Sequence, residues 1–282
     1  MGNLSTTNVM PLVGMAGLLG RIRLATKVAL GLDVPGRNVA IRPTDVFLVS
    51  YPKSGNTWAR FLLGNITSNQ EGVSFRNIED VIPDIYVNTR RKLLSMSDPR
   101  ILKSHEAFDP RYPKVIYLVR DPRDVFISYY HHQIKFRKLP EGYPLDRFLD
   151  LFLNGGLDEF GTWYENVSSW TSARRGNSAF LLVKYEDLLR DPVTGLDSIC
   201  EFLGLDVGGK RLEEVVELSS AQRMRSLEER EARRWAPTKN SNKSMRFVRK
   251  AKSGGWREEV PVHLMHSLES RWGEVMLSLG YQ

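Results

Sequence analysis

The chain has 282 residues, 41% of them hydrophobic and 26% charged, which is enough apolar material for one large α/β domain. Its formal net charge of +7 favours an anionic ligand, nucleic acid or an acidic membrane surface without choosing among them. The single cysteine, Cys200, excludes an internal disulfide and a multi-cysteine metal site, and it points to a reducing, cytoplasmic setting.

Residues 1–40 form a segment apart. Its apolar stretch from Val9 to Leu32 is interrupted by Arg21, Arg23 and Lys27, so it is not a bilayer span. The charges follow the apolar region rather than precede it, unlike a signal peptide. The pattern predicts an amphipathic helix, packed on the body or in peripheral contact with a membrane through residues 9–32. The opening MGNLST also fits the short myristoylation pattern.

From residue 41 to 282 the chain reads as one domain. Four short apolar runs, Val46–Val49, Arg100–Lys103, Val115–Val119 and Phe180–Val183, are each followed by polar residues and a helical pattern. Unbroken apolar character suggests parallel strands covered on both faces. Trp58, Phe61, Leu62 and Ile66 keep helical spacing after the first run, and Asp121-Pro122 supplies a cap and a first-turn proline after the third. The alternation predicts a central parallel sheet flanked by helices in three layers. Residues 211–234 read as a charged helix and residues 240–255 as a long loop.

Ligands of such a sheet gather at the carboxyl ends of its strands. Those ends deliver Lys53, Lys103 with His105, Arg120, and Lys184-Tyr185. The stretch SYPKSGNTW, Ser50 to Trp58, has the glycine, lysine and hydroxyls of a phosphate-binding loop, but its lysine precedes the glycine, unlike the loop of nucleoside triphosphatases. Amides of Ser54 to Thr57 at a helix start suit an anion, with Lys53 adding charge. Trp58 serves equally as a core residue or as a platform for a purine. Arg120 and Ser128, about 9 Å apart along a helix axis, suit a second phosphate. Arg123 and Asp124 read as surface or ion-paired residues. Lys239, Lys243, Arg246, Arg249, Lys250, Lys252 and Arg257 form a basic loop interleaved with Phe247, Val248 and Trp256. These residues ask for a ligand with two phosphate-like groups and an aromatic base.

Taken in order, the segments resemble the sulfotransferases that use 3′-phosphoadenosine 5′-phosphosulfate (PAPS). YPKSGNTW is similar to their 5′-phosphosulfate loop, YLVRDPRDVFISYYH to their 3′-phosphate segment, LKSH to their catalytic segment, KYEDLLRDP to a further shared motif, and FVRKAKSGGW to their C-terminal loop. The resemblance runs from about residue 45 to 257 and implies a P-loop-like fold. It implies that Lys53, Ser54, Gly55, Asn56 and Thr57 hold the phosphosulfate, and that Trp58, Tyr185, Ser219 and Met224 contact adenine. Arg120, Ser128, Arg249, Lys250 and the Ala251 backbone would bind the 3′-phosphate. His105 would be the general base, and Lys103 would stabilise the charge in transit alongside Lys53. No metal is implied.

Asn56 stands where the family more often has threonine, Ala251 where it has glycine, and Gly255 where aspartate is frequent. Alanine is disfavoured if the backbone there needs a positive φ. Two other readings compete. A kinase reading would make Asp121 a magnesium ligand, but the lysine–glycine order opposes it. A nucleic-acid or membrane-binding reading uses the basic loop yet leaves SYPKSGNTW and His105 unexplained. The acceptor, lined by residues 139–170, stays open among a phenol, sterol, sugar or lipid alcohol. Glu106, beside His105, is the alternative base.

Overall fold

The computed structural model describes residues 39–68, 72–231 and 241–282, together with residues 22, 23, 26, 30 and 238. The segment 9–32, apart from residues 22, 23, 26 and 30, and Lys239 of the basic loop lie outside the described residues. Four parallel strands, β1 (Val46–Ser50), β2 (Ile101–Ser104), β3 (Lys114–Val119) and β4 (Phe180–Lys184), form a sheet in the order β2-β1-β3-β4. Each lies within one residue of an apolar run, because such runs bury side chains on both sides.

Strand alternation divides those side chains between two cores. Phe47, Val49, Tyr117 and Val119 face one side, under α4 (Pro122–Lys135), α5 (Leu145–Leu153), α6 (Trp163–Ala173) and α12 (Val262–Ser278). Val46, Leu48, Ile116 and Leu118 face the other, under α1 (Asn56–Thr67), α7 (Tyr185–Arg190), α8 (Pro192–Leu203) and α9 (Gly209–Leu218). The helices are placed by local signals. Asp121 caps α4 through the Arg123 amide with Pro122 in its first turn, and Thr162 and Glu165 close a capping box on α6. At the opposite end of the sheet, a fully buried Arg100–Asp45 pair staples the starts of β1 and β2, with Nε–Oδ1 at 2.8 Å.

Three details depart from the sequence reading. The edge strand β4 is only partly covered, and Leu182 on it is exposed. The helix expected over 211–234 is two, α9 and α10 (Ala221–Glu231), broken at Ser219-Ser220. Two short helices, α2 (Ile78–Val81) and α3 (Arg90–Ser95), cross between β1 and β2, and a four-residue α11 (Trp256–Glu259) follows the basic loop. Among the described residues no helix is long and apolar enough to cross a membrane.

Candidate active site

All four strands end at one edge, and there a cavity of about 570 Å³ opens between the two halves of the sheet. The turn after β1 lines it. Lys53 (φ 70) and Gly55 (φ 93) both take left-handed backbone. Glycine is required at 55 on two counts, since a Cβ there would stand 2.5 Å from the Tyr185 ring. The Ser54 amide closes the turn on the Tyr51 carbonyl at 3.3 Å. This leaves the amides at the start of α1, from Gly55 to Thr57, as donors for an anion. The Ser54 hydroxyl and Asn56 Oδ1 are buried without a partner among the described residues. Lys53 Nζ lies over the Phe247 ring, 4.8 Å from its centre. Burial, then the charges of Arg120 and Arg249, lower its pKa to about 7.

His105 follows β2. Its Nδ1 lies 2.7 Å from the Ser50 carbonyl, which can only accept, so Nδ1 carries the proton and Nε2 keeps its lone pair. Tyr86 lies parallel to the ring at 6.2 Å, and Phe160 meets it edge-on at 5.4 Å. Its backbone is held from both sides, by Tyr86 Oη on the amide and by Asn166 Nδ2 on the carbonyl. Burial, and then the Lys103 charge, hold the imidazole well below the ordinary histidine pKa, so it is neutral at pH 7. Lys103 is buried and donates to Asp84 Oδ2 at 2.8 Å. Burial lowers the Lys103 pKa against the pull of that carboxylate. Burial would raise that of Asp84, but Lys103 and Arg60 outweigh it and hold the carboxyl below its usual range. Glu106 does not line the cavity; it is buried and accepts from Tyr86 Oη at 3.1 Å.

Arg120, at the end of β3, ties the two loops together. It donates to the carbonyls of Lys53 (3.3 Å) and Lys252 (3.0 Å), and its guanidinium stacks on Tyr185 at 4.3 Å. Asp124 sits in the first turn of α4 and accepts from the amides of Gly254 (2.7 Å) and Trp256 (3.1 Å), so it fastens the basic loop over the site. Ser128 lines the same wall. Arg249 and Lys250 reach Glu259 at 2.6 and 2.7 Å, and His131 joins the same carboxylate. Burial would raise the Glu259 pKa, but those bonds bring it down to about 2. Ala251 lies at φ 53, the left-handed backbone that makes glycine the better residue there.

Residues 43–280 match the family described as Sulfotransferase domain. The chain belongs to the sulfotransferase family. Human sulfotransferase 2B1 is 30% identical over 232 residues, covering 79% of this chain and 63% of that protein, so the chain spans less than two thirds of that relative. Sulfotransferase 2A1 of Macaca fascicularis is 29% identical over 261 residues, covering 85% of this chain and 86% of its own. Mouse sulfotransferase SULT7A1, solved as a complex with PAP, superposes with a TM-score of 0.67 at 26% identity, over 84% of this chain and 86% of its own.

Within this sulfotransferase the cavity gathers Lys53, Gly55, Asn56, Thr57, Trp58, Lys103, His105, Arg120, Ser128, Tyr185, Met224, Arg249, Lys250 and Ala251. Trp58 packs on the core, as one of its two expected roles requires, and it also lines the cavity. Ser219 does not reach the cavity. It is wholly buried and accepts from Asn65 Nδ2 at 3.0 Å, while its neighbour Ser220 lines the wall. Arg123 is paired with Asp121 at 2.8 Å and Asp124 with Arg120 at 3.8 Å, but both are buried rather than at the surface, and Asp124 lines the cavity. Asp121 is spent on its helix cap and on Arg123, at 2.8 Å. Of the stretch 139–170 expected beside the acceptor, only Asp158, Glu159 and Phe160 line the cavity, and Trp163 and Trp170 are core. Asp84, His132 and Phe136 line the cavity although the sequence did not single them out, and Phe247 and Val248 of the basic loop line it too.

Proposed function

We propose that this sulfotransferase moves the sulfuryl group of PAPS to the hydroxyl, or amine, of a small-molecule, sugar or lipid acceptor by direct displacement, with His105 as general base. One observation carries the reading: the Ser50 carbonyl holds His105 Nδ1, which leaves Nε2 unprotonated in the cavity that also receives Lys53, Arg120 and Arg249. The acceptor oxygen forms a bond to sulfur as the bond from sulfur to the bridging phosphate oxygen breaks. The acceptor proton passes to Nε2, and adenosine 3′,5′-bisphosphate leaves. Lys53 and the amides from Gly55 to Thr57 meet the charge that grows on the bridging oxygen, with Lys103 on the acceptor side. These positive groups supply the stabilisation, so no metal is assigned a role. Arg120, Ser128, Arg249, Lys250 and the Ala251 backbone take the 3′-phosphate, while Trp58, Tyr185 and Met224 border the adenine.

The domain spans residues 41–282, the lone cysteine suits a cytoplasmic setting, and nucleic acid is not a partner in this reading. Calorimetry tests the donor. Adenosine 3′,5′-bisphosphate is expected to bind tightly and AMP far more weakly, with or without EDTA. Equal affinities would remove the 3′-phosphate site, and magnesium-dependent binding of ATP would restore the kinase reading.

A further inference from the structure

Between the donor loop and the base runs a short buried chain of polar groups. Asn56, the first residue of α1, turns its side chain back beneath the loop. Its Nδ2 donates to the Ser50 hydroxyl at 3.1 Å and to the Leu48 carbonyl at 3.4 Å. One amide nitrogen carries two protons, so it can hold both oxygens at once. Ser50, wholly buried at the end of β1, then meets His105 Nδ1 through its carbonyl at 2.7 Å, with its hydroxyl at 3.4 Å. Among the described residues these are the only hydrogen bonds to the imidazole. The residue whose carbonyl holds the base is therefore the one whose hydroxyl Asn56 binds.

We propose that Asn56, acting through Ser50, is a positioning residue for His105: it fixes the Ser50 peptide whose carbonyl holds Nδ1–H, and so keeps the Nε2 lone pair directed into the cavity. The proposal rests on the reading of His105 as the base. It gives the asparagine at this position a task that its backbone amide, at the anion end of α1, does not perform. Without the side-chain amide the Ser50 hydroxyl and the Leu48 carbonyl each lose a donor at the end of β1, and the imidazole can exchange its proton between nitrogens.

Long-range ¹H–¹⁵N NMR of histidine-labelled enzyme separates Nδ1–H from Nε2–H tautomers without an acceptor. The unaltered chain is expected to show His105 as Nδ1–H. Asn56→Leu, which keeps the size and removes the donor, and Ser50→Ala should each shift the tautomer ratio about fivefold towards Nε2–H, the scale of one hydrogen bond. Because the two residues act in series, the double variant should shift it no further than the larger single change. Thermal melts establish that each variant is folded. If Asn56→Leu does not fold, Ser50→Ala alone decides. A single Nδ1–H tautomer retained in the folded variants overturns the proposal, as does Nε2–H in the unaltered chain. Absence of bisphosphate binding in the unaltered chain would instead strike the donor reading, and the tautomer result would stand apart from it.

Discussion

Donor affinity should fall steeply with pH between 7 and 9, and the cause is a single lysine. In the free protein Lys53 has a pKa of about 7, held there by burial and by the facing Arg120 and Arg249. A bound phosphate reverses that environment and returns the lysine towards its ordinary value of about 10.4. At pH 7 roughly half of the free molecules carry the charge, and at pH 9 only about 1%, so binding at pH 9 must first add a proton. The association constant for adenosine 3′,5′-bisphosphate should therefore drop about fifty-fold over those two units, roughly 2.3 kcal/mol. The ligand contributes little to this slope, since a phosphate monoester with a second pKa of about 6 is already dianionic. Calorimetry in buffers of different ionisation enthalpy should show about half a proton taken up per bound ligand at pH 7 and nearly one at pH 8 to 9. Lys53→Arg cannot lose its charge and should bind with almost no dependence on pH. Constant affinity of the unaltered chain from pH 7 to 9, without proton uptake, would refute the reasoning.

Two substitutions test the backbone of the loops. Ala251→Gly removes a left-handed alanine that costs roughly 1–2 kcal/mol, and glycine's greater unfolded-state freedom returns about 0.5–1 of it. Melting should rise by about 1–3 °C and bisphosphate binding should not weaken; a lower melting temperature would contradict the φ of 53 at that residue. Gly55→Ala drives a methyl to 2.5 Å from the Tyr185 ring at a φ of 93, which should destabilise by about 1–3 kcal/mol and lower bisphosphate affinity at least about tenfold. Tyr185→Ser carries its own cost, so the comparison is made in that background: there Gly55→Ala should cost less but still destabilise, because the backbone strain remains, and no cost at all would assign the whole effect to the ring.

The parallel sheet was legible because both of its faces are buried, so Val46–Ser50 and Lys114–Val119 carry unbroken apolar runs that no helix of that length needs. The site was legible wherever its residues follow a strand end directly, as Lys53, His105 and Arg120 do. It was illegible where a partner arrives from a distance. Asp84 pairs with Lys103 across 19 residues from an irregular segment, and Asp124 fastens Gly254 across 130. A lone aspartate carries no spacing signal for either task. Ser219 misled for a related reason: the break between α9 and α10 exposes one of two adjacent serines to the cavity, and it is Ser220. Trp163 and Trp170, within the stretch expected beside the acceptor, are instead the buried side chains by which α6 joins the core.

Whether His105 is the base decides the account, and the rate of sulfuryl transfer in two single variants addresses it most directly. The comparison is made with any acceptor that the unaltered chain sulfates, with bisphosphate affinity measured beside it. His105→Ala should lower turnover about 10²–10⁴-fold, the usual range for a general base, and leave bisphosphate affinity nearly unchanged. Glu106→Gln should be mild, since that side chain meets Tyr86 and does not line the cavity. Near-normal turnover in His105→Ala together with collapse in Glu106→Gln would contradict the account and move the base to Glu106.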